Sequence, residues 1–440
     1  MSHYKANQPR PLALQGLWGD QGRGAIEQDN FDDKDIVLVV MRDTIVYQID
    51  QSPYFIEGQT GRPAMITAVI PALIENEPYT PGLSREYVAS EFGIPLDDVA
   101  KLGSAENPFG PSPKAVAAVE TGRAKLDLYP EWTSKTLRAA IGKKYGFDAD
   151  CVVCGSGETE VISFIMRAFA AAGETILTQE PCFPIYHLFA ENEGRVIVGV
   201  PTGEDFDPAI DSYITKLKEI KPKIAFLTNP HSPSGHLLTE EEVRAVCEAA
   251  GDDTLVVLDE AYIHFSQTPG FVYLTREYTN LIVLRTFSKA YGLAGLRLGF
   301  GIASNKDLIT PLLNIKPTWN LGPMQVEGGI AALDDDAHVD RTVSMIVEMR
   351  DYVTQQFAGL NRFRMVPNSR SNFFLIEIVD SQLDSTRVFD ELLARGVIVK
   401  DGSVSFRGLG KRYLRSDVSL KKHMDRLVWA LKEIEQQATS

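Results

Sequence analysis

The stretch Arg285-Thr286-Phe287-Ser288-Lys289-Ala290-Tyr291-Gly292-Leu293-Ala294-Gly295-Leu296-Arg297-Leu298-Gly299 decides how this chain is read. It sets a lysine beside a hydroxyl, Ser288, and eight residues before a guanidinium, Arg297, with glycines between them. A lysine amine forms an imine with an aldehyde, while the hydroxyl and guanidinium hold a phosphate on the same molecule. An isolated Ser-Lys pair would be an ordinary solvated loop, so the segments around it carry the argument.

Upstream, Thr254–Leu258 is a short apolar run of buried-strand type, and it ends in Asp259-Glu260-Ala261-Tyr262. Open α/β sheets bind ligands beyond the carboxyl ends of their strands, which places Asp259 where a carboxylate pairs with a protonated pyridine nitrogen. Lys223–Thr228 reads as a second such strand. The Pro/Gly-punctuated loop Asn229-Pro230-His231-Ser232-Pro233-Ser234-Gly235 follows it and fixes the Asn229 amide as a donor to a phenolic oxygen. Val152-Val153-Cys154 leads through Gly155-Ser156-Gly157-Glu158-Thr159-Glu160 into the apolar-periodic run Val161–Phe169. This is a strand, a glycine turn and a helix N-terminus. The free N–H groups around Gly157, Glu158 and Thr159, with the Thr159 hydroxyl, suit a phosphate. A covalent lysine, a pyridinium partner, a phenolic donor and a phosphate cradle together specify pyridoxal 5'-phosphate.

With these parts assembled, the chain resembles the fold-type I pyridoxal-phosphate-dependent aminotransferases of class I/II, most closely their histidinol-phosphate branch, over roughly residues 100 to 435. The resemblance also rests on Ala105-Glu106-Asn107-Pro108-Phe109-Gly110-Pro111-Ser112-Pro113, Tyr129-Pro130-Glu131, Glu180-Pro181-Cys182-Phe183-Pro184-Ile185-Tyr186 and Ser371-Asn372-Phe373-Phe374. It implies that Phe183 stacks on the pyridine ring and that Tyr262 assists Asn229 at the phenolic oxygen. It also implies that Tyr129 reaches the phosphate of a neighbouring subunit's cofactor, and hence a homodimer. Arg415, in Lys411-Arg412-Tyr413-Leu414-Arg415-Ser416-Asp417, matches the arginine that binds the substrate α-carboxylate, backed by Asn372. Asn107, Phe109 and Lys400 complete the implied substrate-binding set.

The chain departs from that pattern in places. Lys400 stands where the histidinol-phosphate enzymes have an arginine that reads the substrate phosphate, and a lysine is a point charge, not a fork. Gly402–Gly410 is long and loop-like before Arg415, and Ser232 and Ser234 replace the asparagine and threonine of many relatives. The expectation is therefore that histidinol phosphate is not the physiological substrate. A small amino acid or amine is expected instead, with a larger or second substrate covered by residues 1 to about 85.

The chain has 440 residues and a formal charge of −15, which argues against a nucleic-acid partner. No run approaches the length of a membrane span, and Met1–Arg10 is polar, so a cytoplasmic location is the default expectation. The Cys151-x-x-Cys154 spacing lacks a second pair or spaced histidines, so Cys151, Cys154, Cys182 and Cys247 read as structural and no metal site is expected. His231 reads as a structural loop histidine. The alternation of strands and helices up to Ala303 predicts a doubly wound, mostly parallel sheet, an α/β domain over 111–320. A change of pattern near Leu321 predicts a smaller α+β domain over 321–440, to which an arm, 86–110, contributes. Residues 1–85 read as a β-rich extension with strand-like runs at Asp35–Met41, Thr44–Asp50 and Met65–Ile70. Gly16–Gly24 is expected to be a surface loop. Whether the extension is a lid or a decoration of the dimer stays open.

These readings converge on a pyridoxal-phosphate enzyme in which Lys289 holds the cofactor and then acts as base at the substrate Cα, while Asp259 keeps the ring nitrogen protonated. Tyr262 completes the catalytic set. Amino transfer is the leading outcome. Decarboxylation, oxidation and elimination or replacement at Cβ or Cγ are the enzymatic alternatives, and a non-catalytic binding module is the alternative of another class.

Overall fold

The computed structural model describes residues 37–41, 44–49, 52–54, 73 and 82–437. The chain divides into two units, residues 1–70 and 71–440. In the first, β1 (Val37–Met41), β2 (Thr44–Ile49) and β3 (Ser52–Tyr54) form an antiparallel sheet in the order β1-β2-β3. The first two strands follow the β-branched runs seen in the sequence. The strand-like run Met65–Ile70 and the loop Gly16–Gly24 lie outside the described residues.

The second unit opens with helix Arg85–Phe92 and the short strand β4 (Ala100–Lys101). Its large sheet is built from β5 (Val152–Gly155), β6 (Thr175–Glu180), β7 (Val196–Pro201), β8 (Ile224–Thr228), β9 (Leu255–Asp259), β10 (Leu281–Thr286) and β11 (Gly299–Ile302). The order is β5-β11-β10-β9-β8-β6-β7, and every neighbouring pair is parallel except those made by β11. The central strands are continuous apolar runs because both faces are covered. Ile224, Phe226, Leu255, Val257, Ile282 and Leu284 pack towards helices Glu158–Phe169, Pro184–Asn192 and Lys306–Ile315. The alternate residues Ala225, Leu227, Val256, Leu258, Leu281 and Val283 pack with residues of helices Ile210–Ile220 and Glu240–Ala250. The Glu240 helix starts in the capping box that its sequence predicts: Thr239 Oγ1 accepts from Glu242 N at 3.2 Å, and Glu242 Oε2 from Thr239 N at 2.7 Å.

The direction of β11 matters for function. It runs antiparallel to both β10 and β5, so β5 points the same way as the parallel strands. The carboxyl ends of β5, β8, β9 and β10 therefore lie on one edge, and the loops that follow them share that edge.

Towards the C-terminus, β12 (Phe363–Met365), β13 (Phe373–Ile378), β14 (Val397–Ile398), β15 (Lys400–Asp401) and β16 (Tyr413–Asp417) follow the long helix Asp336–Phe357. Four of them form an antiparallel sheet, β12-β13-β16-β15, while β14 pairs in parallel with β4. The run Val397–Asp401 is thus split into two short strands, each with a different partner. Helix Pro323–Leu333 packs back onto helix Pro113–Arg123, where a Cβ on Gly122 would stand 2.6 Å from Met324 Cα. Helix Lys421–Gln437 closes the chain.

A buried ion pair ties β10 to the residue that follows β9. Arg285 on β10 donates from Nε and Nη2 to Glu260 Oε2, at 3.0 and 2.7 Å, and both side chains are almost fully buried. Glu260→Ala strands the guanidinium and is expected to lower stability by about 3–5 kcal/mol, as a drop in the chemical-denaturation midpoint. A neutral result would show that Arg285 finds other partners.

Candidate active site

The edge of the large sheet gathers side chains from several loops. Asp259, the last residue of β9, is 4 % exposed. Its Oδ2 accepts from the Tyr186 hydroxyl at 2.5 Å and its Oδ1 from Ala261 N at 3.0 Å. Burial pushes the Asp259 carboxyl above its ordinary range, and the Tyr186 and Ala261 donors oppose that. Tyr186 is held in turn by stacking on Phe226, with ring centroids 4.4 Å apart.

Asn229 follows β8 and is fully buried. Its Oδ1 accepts from Leu238 N at 2.9 Å, whereas its Nδ2 is buried with no acceptor. A buried amide donor held this way has its partner still to come. His231 in the same loop is structural: Nε2 faces Pro181 O at 2.9 Å, Nδ1 faces Ser234 Oγ at 2.8 Å, and burial pulls its pKa down to about 4.

Lys289 follows β10, is half-buried, and donates from Nζ to Ser104 O at 3.0 Å, with Nζ 5.3 Å from the centre of the Tyr262 ring. Tyr262 is buried edge-on to Phe373. Ser288 is buried beside Thr286, whose hydroxyl contacts it at 3.1 Å. Gly157 and Glu158 stand at the N-terminus of helix Glu158–Phe169, followed by Thr159. Gly157 has φ +80°, and a Cβ there would lie 2.3 Å from Arg297 Nη2, so glycine is needed for the guanidinium to reach this turn. Phe183, half-buried, caps helix Pro184–Asn192 and meets Tyr186 edge-on at 5.8 Å.

The smaller sheet contributes a second group. Arg415 on β16 is 6 % exposed and donates to Gly103 O at 3.1 Å and Asp417 Oδ1 at 3.3 Å, while its Nε is buried without a partner. Phe373 and Phe406 lie 4.9 and 5.6 Å from the guanidinium carbon. Lys400 is directly opposite Arg415 in the β15–β16 register, so both side chains belong to one face of the sheet. Burial and then the Arg415 charge pull the Lys400 ammonium below the usual lysine range, and Asp417 opposes them. Asn372 donates to Ala105 O at 3.2 Å.

Three residues do not join this cluster in the single chain. Asn107 spends its Nδ2 on Ala290 O at 3.0 Å and Thr342 Oγ1 at 3.1 Å, which fastens its loop to helix Asp336–Phe357 before any substrate arrives. Phe109 lies against the Arg341 guanidinium, 4.9 Å from its ring centre. Tyr129 is 82 % exposed and stacks on Trp319. Tyr186 had no role in the sequence reading. Its place three residues after Phe183 in the quoted motif was the available signal.

A glycine turn at a helix N-terminus approached by Arg297, a buried carboxylate, an orphaned amide donor and a lysine on one sheet edge define a fold-type I transferase site, and this donor set fits pyridoxal 5'-phosphate. Comparison with known proteins agrees. The family model for aminotransferase class I and II matches residues 97–428. The chain is 38 % identical over 369 residues to a histidinol-phosphate aminotransferase of Anaeromyxobacter sp. (strain Fw109-5), covering 83 % of this chain and 98 % of that one. It is 36 % identical over 371 residues to the enzyme of that name from Symbiobacterium thermophilum, again covering 83 % and 98 %. In fold it is similar to the histidinol-phosphate aminotransferase of Sinorhizobium meliloti solved with pyridoxal-5'-phosphate, with TM-score 0.75 and 23 % identity over 85 % of this chain and 99 % of that one. The chain belongs to the class I and II aminotransferases. It is a pyridoxal-phosphate-dependent aminotransferase, and the other reaction branches and the non-catalytic reading are not favoured.

The Tyr186–Asp259 contact gives a test of the site's electrostatics. Tyr186→Phe leaves a buried carboxylate one donor short, which costs about 1–3 kcal/mol. The cost falls on the charged form, so the loss in denaturation midpoint should be largest at neutral and alkaline pH and narrow as acid protonates Asp259. A loss independent of pH would assign the effect to packing against Phe226 alone.

Proposed function

We propose that this aminotransferase acts on a small primary amine or amino acid whose far end is a compact anion held by Arg415 and Lys400. The observation that carries this reading is the side-by-side placement of those two cations on one face of the smaller sheet. Among such anions a phosphate monoester is favoured. A second cation exceeds what a single carboxylate needs, and the relatives named above are histidinol-phosphate aminotransferases. The absence of an arginine at 400 weighs less than it did in the sequence, because Arg415 supplies the planar fork and Lys400 adds a point charge beside it.

In this reading the cofactor, when bound, supplies an electron sink for the bond broken at the substrate Cα. Lys289 would hold the cofactor, and its amine would move the proton at the substrate Cα. Asp259 keeps the ring nitrogen protonated, and Asn229 with Tyr262 holds the phenolic oxygen. Phe183 covers the ring. Gly157, Glu158, Thr159, Ser288 and Arg297 seat the phosphate through backbone N–H groups, hydroxyls and a guanidinium. Asn372 acts through the backbone of Ala105. Residues 111–320 form the cofactor-binding domain and 321–440, with the arm, the smaller one.

A homodimer belongs to the same proposal. Tyr129 is exposed among Leu126, Leu128, Trp132 and Trp319, a grouping of large apolar side chains that suits a second copy of the chain. From there Tyr129 would reach the neighbouring cofactor phosphate. A cytoplasmic location and a second substrate complete the reading.

The test is an amino-transfer assay with histidinol phosphate and with α-amino acids that lack a second anion. Histidinol phosphate should be turned over with the lower KM. Arg415→Leu should weaken its binding by about 2–5 kcal/mol. Because the Lys400 pKa is depressed, the ammonium is lost as pH rises at a lower pH than for an ordinary lysine, so KM should climb on the alkaline side. Lys400→Arg should remove that climb. Preference for an amine with an uncharged tail would sink the proposal.

A further inference from the structure

We infer that Asn320 is a positioning residue for the phosphate turn: it locks the Glu160 carboxylate onto the Ser156 N–H and so fixes the loop that receives the cofactor phosphate. The inference rests on the phosphate site proposed above and gives a task to the polar network behind it. Gly155-Ser156-Gly157 joins β5 to helix Glu158–Phe169. Glu160, in the first turn of that helix, reaches back so that its Oε2 accepts from Ser156 N at 2.6 Å. The same oxygen accepts from Asn320 Nδ2 at 2.8 Å, and Nδ2 also lies 3.3 Å from Cys154 O on β5. One amide thus holds the strand on one side of the turn and, through Glu160, the helix on the other.

Asn320 is itself held. Its Oδ1 accepts from Lys316 Nζ at 3.1 Å, and that ammonium also donates to Trp132 O at 2.6 Å and Pro317 O at 3.2 Å. Lys316 is only 8 % exposed, and a buried ammonium needs acceptors and an opposite charge nearby. The carbonyls supply the first, and Glu160, on the far side of the Asn320 amide, supplies the second. The order is ammonium, amide, carboxylate, backbone N–H. An ammonium has no acceptor and a carboxylate no donor, so the side chain between them must accept at one end and donate at the other. Asparagine does both, and aspartate does not.

Two further contacts tie this network to the phosphate site. Gln325 Nε2 donates to Arg297 O at 2.8 Å, and Arg297 is the guanidinium that approaches Gly157. Trp319, next to Asn320, stacks on Tyr129. Residues 316–325 therefore bracket the turn, the backbone of Arg297 and the Tyr129 ring together. A carboxylate is favoured in the first turn of a helix, but a loose one there would compete with the phosphate for N–H groups. Tethered to Asn320, Glu160 stays on Ser156 N and off the N–H groups of Gly157 and Glu158.

The experiment measures how tightly full-length chains, stripped of cofactor, bind pyridoxal 5'-phosphate and pyridoxal, which lacks the phosphate, by the visible absorption of the bound ligand. Wild type is compared with Asn320→Asp, Asn320→Ala and the double variant Glu160→Gln/Asn320→Asp. Asn320→Asp sets two carboxylates against each other and frees the turn. Its affinity for pyridoxal 5'-phosphate should fall about tenfold or more, and its affinity for pyridoxal by less than about twofold. In the double variant the glutamine amide donates to the new carboxylate while its oxygen accepts from Ser156 N, with the charge of the pair unchanged, so most of the loss should be recovered. A lesion of the fold alone would lower both affinities together, and a second substitution would not repair it. Equal losses for the two ligands, or a double variant as weak as Asn320→Asp, overturns the inference. Should Asn320→Asp fail to fold, Asn320→Ala decides, because it too should lose affinity for the phosphorylated ligand selectively. Wild type that binds both ligands alike would strike the phosphate site and the inference with it, whereas a wild-type preference that survives in every variant strikes the inference alone.

Discussion

A carboxylate buried at the end of the central strand is the constraint on which the rest of this molecule depends. Asp259 ends β9 between β8 and β10 and is almost wholly buried, so its charge must be sustained by the groups placed around it. Tyr186 supplies one donor from helix Pro184–Asn192, and that helix is held over the sheet by the Tyr186–Phe226 stack. The turn after β9 supplies another through Ala261 N. The packing of one face of the sheet is therefore not independent of the chemistry at its edge: moving that helix would strip the carboxylate of its hydroxyl.

The large sheet was legible because its strands are buried on both sides and so are written as unbroken apolar runs. Thr254–Leu258 and Lys223–Thr228 can hardly be anything else once each is followed by turn residues. The residues that leave those strands were legible for the same reason, since a strand end fixes where the next side chain starts. Short strands of the smaller sheet were less so. Val397–Asp401 reads as one strand, yet Ile398 serves β14, Lys400 serves β15, and Val399 between them is where the chain changes partners. Two-residue pairings carry no periodicity from which such a switch can be read.

Side-chain direction at the site was the other thing hidden from sequence. Glu158 looks like an ordinary first-turn acid, Asn107 like a substrate contact, and Lys400 like a weakened arginine. In the fold, Glu158 points inward, Asn107 is hydrogen-bonded to Ala290 and Thr342, and Lys400 stands directly opposite a second cation, Arg415. Each outcome depends on what a distant segment places opposite. The loop before Arg415 is a further case: Phe406 packs near the Arg415 guanidinium, while Arg407 Nη1 donates to Glu191 Oε1 at 2.7 Å on helix Pro184–Asn192. A stretch that reads as slack thus spans from the smaller sheet to the helix that carries Tyr186.

The spacing between the two halves of the site is set by three residues, Gly103-Ser104-Ala105. Gly103 O accepts from Arg415, Ser104 O from Lys289 and Ala105 O from Asn372, while Ala105 N donates to Asp417 at 2.5 Å. One short run of backbone therefore touches both the lysine of the large sheet and the arginine of the smaller one. Its path is tightly constrained: a Cβ on Gly103 would meet Val399 O at 2.9 Å, and Ala105 is held at φ +50°, a conformation a non-glycine residue keeps only when its surroundings impose it. In the proposed function, an amine that reaches Lys289 with its far end on Arg415 would have to match the length that this backbone fixes. On that proposal the main chain would select by length, and Arg415 and Lys400, opposite each other in the sheet register, by charge.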